Sequence, residues 1–282
     1  YQRNIGSEVV QRMHDSFLNL CQVFCVINLT FVYLRKNRKM IISSDIKNII
    51  QSLPEGRVFS ISDFAIDPQY DMALAKLLSR MSAKGEIQKI AKGKYYKPQR
   101  TPLGTLSPVT AELVKDFLEK DGKVTGYITG TQAFSAMGIG SQISGSILIG
   151  TNKYRRALDR GGYTVRFLKQ ENEITEENIE LLRILDAIRL IREIPSVSPN
   201  EACSSIIEII RALDPQKQQE LSTLALAYTN YVRAIVGAIF EMLGLQATDL
   251  RNSLNGVSSY KLPISANVLP TKDNWRIYEP AR

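Results

Sequence analysis

A single histidine, His14, and three cysteines, Cys21, Cys25 and Cys203, are the only imidazole and thiols in the 282 residues. No C-x-x-C pair occurs, so spacing assembles neither a zinc site nor a redox pair. Carboxylates such as Asp159, Glu171 and Glu173 have no nucleophile, base or metal-ligand partner at a workable interval. Tyr127 and Ser141 lack a neighbouring histidine to accept their protons. Gly138, Gly140 and Gly145 match neither G-x-G-x-x-G nor G-x-x-x-x-G-K-[ST], and they read as turn glycines. The expectation is a protein that is not an enzyme and carries no metal or cofactor.

What the chain does offer is positive charge, with a formal net of +8. Between Gln69 and Arg100 eight basic residues stand against the two acids Asp71 and Glu86, a local net of +6. Such a concentration suits an anionic partner, and nucleic acid is the first candidate because lysine and arginine neutralise its phosphates. The plain alternative is a solubilising surface.

The elements that must carry these charges are legible. Leu74, Leu77, Leu78 and Met81 recur at the interval of one buried helix face. Gln69, Ala73, Lys76 and Arg80 fall on a separate stripe that is small, polar and positive. Gly85 stops the helix, Ile87–Ala91 reads as a strand, Lys92-Gly93 as a tight turn and Tyr95–Lys97 as the returning strand. Upstream, Ser43 or Ser44 caps a helix through Ile46, Ile49, Ile50 and Leu53. Val58–Ile61 is a short strand, Ser62-Asp63 opens a brief helix to Ala65 or Ile66, and Asp67-Pro68 is a turn. That order predicts a winged helix-turn-helix over residues 40–100, with recognition helix and wing in series. Its DNA face would comprise Gln69, Ala73, Lys76, Arg80, Lys84, Lys89, Lys92 and Lys94.

The rest of the chain predicts an α+β fold. A Pro/Gly linker, Pro98–Pro108, precedes a mixed α/β part over residues 101–170, with helices at Val109–Lys120 and Thr131–Met137, the stretch Gly126–Gly130 ahead of the second helix, and strands at Ser146–Gly150 and Tyr163–Leu168. Lys153, Arg155, Arg156 and Arg160 form a second basic cluster between the last two strands. Auxiliary DNA contact, an RNA or protein surface and simple solvation are all open for it. Residues 171–282 read as helical with an extended tail. A helix follows the acidic turn Thr175–Glu177, and Ser198-Pro199-Asn200-Glu201 is a capping box with Pro at the first helical position. Asp214-Pro215 caps a long helix from Gln216 to Leu243, which could also carry a homodimer seam. The tail, with Trp275, reads as a strap on the body.

Residues 1–39 differ in character from the rest of the chain. Phe17–Leu34 is an apolar run of 18 residues with Arg35, Lys36, Arg38 and Lys39 directly after it. That is the length and flank of a marginal membrane anchor. Asn19, Gln22, Asn28 and Thr30 weaken that reading, and Met40 just ahead of the first capped helix is the expected natural start.

Four stretches carry a family resemblance: LAKLLSRMSAKGEIQKIAKGKYYKP, GYITGTQAFSAMGI, YTVRFLKQENEITEENIELLRILDAIRLIREIP and SSYKLPISANVLPTKDNW. From Ser43 to about Tyr278 the chain resembles the AbiEi-family antitoxins of bacterial type IV toxin-antitoxin (abortive infection) systems, in their shorter branch. The resemblance implies an N-terminal winged helix that binds operator DNA and represses its own operon, and a C-terminal part associated with antitoxin activity. It also implies a nucleotidyltransferase-like toxin as functional antagonist and a cytoplasmic location. The N-terminal extension is a departure from the family. The competing expectation is a protein-interaction module in which the winged helix is only a scaffold.

Overall fold

The computed structural model describes residues 43–279 apart from Ala65 and Ile143. The apolar run Phe17–Leu34 and the expected start at Met40 lie outside the described residues. Those described are α+β and fall into two compact units, divided between Leu113 and Val114.

In the first unit α1 (Ser43–Ser52) precedes β1 (Val58–Ser60), α2 (Asp71–Ala83), β2 (Gln88–Ala91) and β3 (Lys94–Tyr96). The strands form an antiparallel sheet in the order β1-β3-β2, which places the returning wing strand in the middle. This is the winged-helix arrangement. Ile46 and Ile50 of α1, with Leu53 just after it, share one buried cluster with Leu74, Leu78 and Met81 of α2, and Phe59, Phe64, Ile87 and Tyr95 close the core. Phe59 packs edge-on against Phe64, with ring centroids 5.9 Å apart.

Two details differ from the sequence expectation. The brief helix expected from Ser62 is a single 3₁₀ turn, Ile61–Asp63, capped by Ser60 and Asp63. Phe64 turns extended immediately afterwards and is buried, so the chain leaves the helical path to place that ring in the core. The stretch expected as a linker contains a second hairpin, β4 (Gln99–Thr101) and β5 (Gly104–Leu106), turned at Pro102-Leu103. Pro at the second and Gly at the fourth position suit a tight turn as well as they suit a linker.

The second unit opens in helix α3 (Thr110–Leu118), inside which the division falls. A small hairpin comes next, β6 (Glu119–Lys120) and β7 (Lys123–Val124), turned at Asp121-Gly122. Then come β8 (Gly126–Thr129), α4 (Thr131–Ala136), β9 (Ser146–Thr151), β10 (Leu158–Arg160) and β11 (Tyr163–Lys169). They build a four-stranded mixed sheet in the order β10-β11-β9-β8, with β9 and β11 parallel. Helices α5 (Ile179–Arg189), α6 (Pro199–Ala212), α7 (Pro215–Ala225), α8 (Asn230–Met242) and α9 (Thr248–Asn252) supply most of its core. The expected capping box is present: Ser198 Oγ accepts from the Glu201 amide at 3.2 Å, and Glu201 accepts from the Ser198 amide at 2.8 Å.

The single helix expected over Gln216–Leu243 is two helices, α7 and α8, because Thr229 is extended between them. The break carries Tyr228 into the core, where its hydroxyl donates to Asp186 Oδ1 at 3.0 Å. The Tyr127 hydroxyl donates to Asp186 Oδ2 at 2.8 Å, and Gln170 Nε2 donates to both tyrosine oxygens, at 3.0 and 2.7 Å. One buried carboxylate thus ties β8, α5, the α7–α8 break and the residue after β11 into one polar cluster. Paired in this way, each buried polar atom avoids the cost of dehydration without a partner.

The tail behaves as a strap. Trp275 is buried, and its indole donates to Glu241 Oε2 at 2.7 Å while the Arg251 guanidinium lies 4.3 Å over its ring. Gly237 is the close approach that admits it, because a Cβ there would fall 2.2 Å from the ring. No described helix is long and apolar enough to cross a membrane.

Both the strap and the buried carboxylate can be tested through stability. Gly237→Ala should cost about 1–3 kcal/mol through overpacking, read in urea with the fluorescence of the lone Trp275. An unchanged midpoint would contradict the packing. Burial raises the Asp186 carboxyl from its ordinary value to about 6. The folded state therefore holds this proton more tightly than the unfolded state. Its stabilising contribution is present below pH about 4 and is lost as pH rises through about 6. The pH dependence of the denaturation midpoint across that window should flatten in Asp186→Asn, and an identical slope in both proteins would contradict it.

Candidate nucleic-acid interface

A capped 3₁₀ turn leads into the most basic helix of the first unit, and a glycine ends it. Asp67 accepts from the Gln69 amide at 3.1 Å, Pro68 occupies the first helical position, and a 3₁₀ turn, Pro68–Tyr70, leads into α2. At the other end Gly85 has φ +71°, a conformation that L side chains rarely adopt. There the Glu86 amide reaches Met81 O and the Gly85 amide reaches Ser82 O, both at 3.0 Å, so the last carbonyls are satisfied. With the ends fixed, Leu74, Leu78 and Met81 anchor one side. The other side is left to water.

Gln69, Ala73, Lys76, Arg80 and Lys84 are all exposed there. Among the described residues, Lys76, Arg80 and Lys84 form no ion pair with an acid. The residues directly opposite the core include Met72, which is 75% exposed, and Ser79. The sequence reading missed both because it tracked charge. The spacing Met72, Lys76, Ser79, at i, i+4 and i+7 on one face, would have found them.

The wing comes directly after. Lys89 stands exposed on β2, Lys92 is exposed in the turn before Gly93, and Lys94 opens β3 half-buried, paired across the sheet with Ser60 and Ala91. A register irregularity between Lys89 and Ala91 shifts the pairing of β2. Two cations counted in the local +6 serve the fold instead. Lys97 Nζ donates to Leu53 O at 2.9 Å and also to Gln51 O, at the C-terminal end of α1. Arg100 Nη2 donates to Gly85 O at 2.6 Å, just past the C-terminus of α2. Cations at helix C-termini oppose the negative end of the helix dipole.

The second basic cluster divides in the same way. Lys153, Arg155 and Arg156 are exposed. Arg160, expected with them on a basic surface, is only 6% exposed. Its Nη1 meets Asp116 Oδ1 at 2.5 Å, and its guanidinium lies 4.5 Å over the Phe117 ring. It belongs to the packing of β10 on α3, since an arginine can bury its stem and stack its planar head where a lysine could not.

Other titratable groups are arranged for stability. Burial pushes the Cys203 thiol up to about 12, far from the range of a reactive thiolate. Among the described residues no group of three His, Cys, Asp or Glu side chains is placed to hold a metal ion.

The surface so assembled can present a helix about 10–12 Å wide to a groove of about 12 Å, with a basic turn beside it. Lys76, Arg80, Lys84, Lys89 and Lys92 are free to meet phosphates. Gln69 and Arg80 have the hydrogen-bonding geometry that reads base edges, and Met72 and Ala73 offer apolar contact to a thymine methyl.

A family model described as "Family of unknown function (DUF6088)" matches residues 45–219. No curated protein matches the chain. Among solved structures, the Rv2827c protein from Mycobacterium tuberculosis is similar at 13% identity and a TM-score of 0.46, covering 79% of this chain and 85% of that one.

Proposed function

The chain belongs to the DUF6088 family, and from its own surface we propose that it is a sequence-specific DNA-binding autorepressor that also serves as the antitoxin of a type IV toxin-antitoxin system. The observation that carries the DNA-binding half is the outward side of α2. Met72, Ala73, Lys76 and Arg80 are all exposed on a helix whose opposite side is sealed into the core, Gln69 is exposed in the 3₁₀ turn that leads into it, and the basic turn Lys92-Gly93 lies in the same unit.

In this reading the lysines of α2 and the wing supply salt-dependent affinity for phosphates, and helix side chains read the bases. Arg80 or Lys76 suits guanine, Gln69 suits adenine, and Met72 suits a thymine methyl. The antitoxin half rests on the resemblance of the four stretches to AbiEi-family proteins. The partners are then operator DNA in the cytoplasm and a nucleotidyltransferase-like toxin as antagonist, and an inverted-repeat operator would recruit two copies.

The test is a gel shift on the DNA upstream of the protein's own gene, with non-specific competitor at physiological salt. Arg80→Ala should lose about 1–3 kcal/mol of specific affinity and relax the preference at one base pair. Lys92→Ala should weaken binding to all sequences alike and lower the slope of log affinity against log salt by about 1. Unchanged binding in both variants would overturn the assignment of the face, and no specific shift by the wild type would favour the scaffold reading.

A further inference from the structure

The segment after β9 in the second unit, Asn152–Arg156, is built as more than a loop between strands. Asn152 fixes its start: the side-chain amide donates to Gln170 O at 2.8 Å and to Asn172 O at 2.6 Å. These two carbonyls lie just beyond β11, the parallel neighbour of β9, so the clamp joins the carboxyl ends of both strands. The Lys153 amide donates to Thr151 Oγ1 at 3.3 Å and continues the anchoring. From there Lys153, Tyr154, Arg155 and Arg156 all face solvent.

Tyr154 is 84% exposed, which leaves nearly its whole ring in water. Arg155 is held in place from below. Its guanidinium lies 5.2 Å from the Phe117 ring and 6.0 Å from the Phe167 ring, and these two rings pack edge-on with centroids 5.0 Å apart. Among the described residues no acid pairs with Lys153, Arg155 or Arg156. Five consecutive residues therefore offer three cations, one uncovered aromatic face and no carboxylate.

We infer that this segment binds single-stranded nucleic acid, with Tyr154 stacking on an unpaired base and Lys153, Arg155 and Arg156 holding the adjoining phosphates. The aromatic ring decides the class. A cation needs only a phosphate, which duplexes and single strands both present, whereas a protruding ring needs the flat face of a base, which a duplex keeps stacked. Fixing Arg155 on Phe117 and Phe167 lowers the entropy it would lose on meeting a phosphate. The inference stands apart from the reading of α2 and the wing, since it uses neither.

The experiment is fluorescence anisotropy on the full chain with labelled twelve-nucleotide oligouridylate and oligothymidylate, and with a blunt duplex of the same length. Comparing the two single strands separates RNA from DNA as the source, and the duplex reports the α2 and wing surface, whose affinity Tyr154 should not affect. Tyr154→Ala should weaken single-strand binding by about tenfold, in keeping with the usual contribution of one stacked base. Tyr154→Phe should restore it, because the ring and not the hydroxyl makes the contact. Arg156→Ala should reduce the salt dependence of single-strand binding. A Tyr154→Ala loss as large on the duplex as on the single strands, an unchanged Tyr154→Ala, or no single-strand binding by the wild type would each overturn the inference.

Discussion

The first unit depends on how α2 is seated. Leu74, Leu78 and Met81 fall on one side of thirteen helical residues and bury against Ile46, Ile50 and Leu53. Removing a buried Leu or Met side chain typically costs about 2–5 kcal/mol, so this contact fixes the rotation of the helix about its own axis. A different rotation would carry Lys76 and Arg80 toward the core, where unpaired charges are not tolerated. The same seating that stabilises the unit therefore decides which residues face outward. The two caps, Asp67-Pro68 and Gly85, set where that face begins and ends.

Basic residues in this chain do several kinds of work, and composition alone does not separate them. Lys97 and Arg100 bind carbonyls at helix ends, Arg160 stacks on Phe117 and pairs with Asp116, and Arg155 rests on two aromatic rings. Of the two basic clusters, what is left for an anionic partner is a smaller set: Lys76, Arg80, Lys84, Lys89 and Lys92 in one unit, and Lys153, Arg155 and Arg156 in the other. The net charge of +8 thus overstates one surface and conceals a second.

The parts of the fold legible in the sequence are those whose signals are local. Helix α2 declared itself by period, by Pro at its start and by Gly at its stop, and the wing by a Lys-Gly turn between β-prone residues. The capping box at Ser198 was equally plain. What could not be read depended on distant partners. Lys97 finds its carbonyl 44 residues away and Arg160 its carboxylate at the same separation. The break at Thr229 was hidden because apolar spacing continues across it, and only the burial of Tyr228 against Asp186 shows why the helix stops. The second hairpin was mistaken for a linker because proline and glycine mark both. Within the candidate interface, charge pointed to Lys76 and Arg80 but passed over Met72, which is exposed on the same side of α2.

The most direct measurement of the central claim, that the outward side of α2 enters a major groove, is methylation protection of guanine N7 on the DNA upstream of the gene. That atom lies on the major-groove edge. The expected result is one short protected patch, or two related by an inverted repeat, lost on substitution of Arg80 while flanking phosphate protection persists. Protection spread evenly along the DNA, or confined to minor-groove positions, would contradict it.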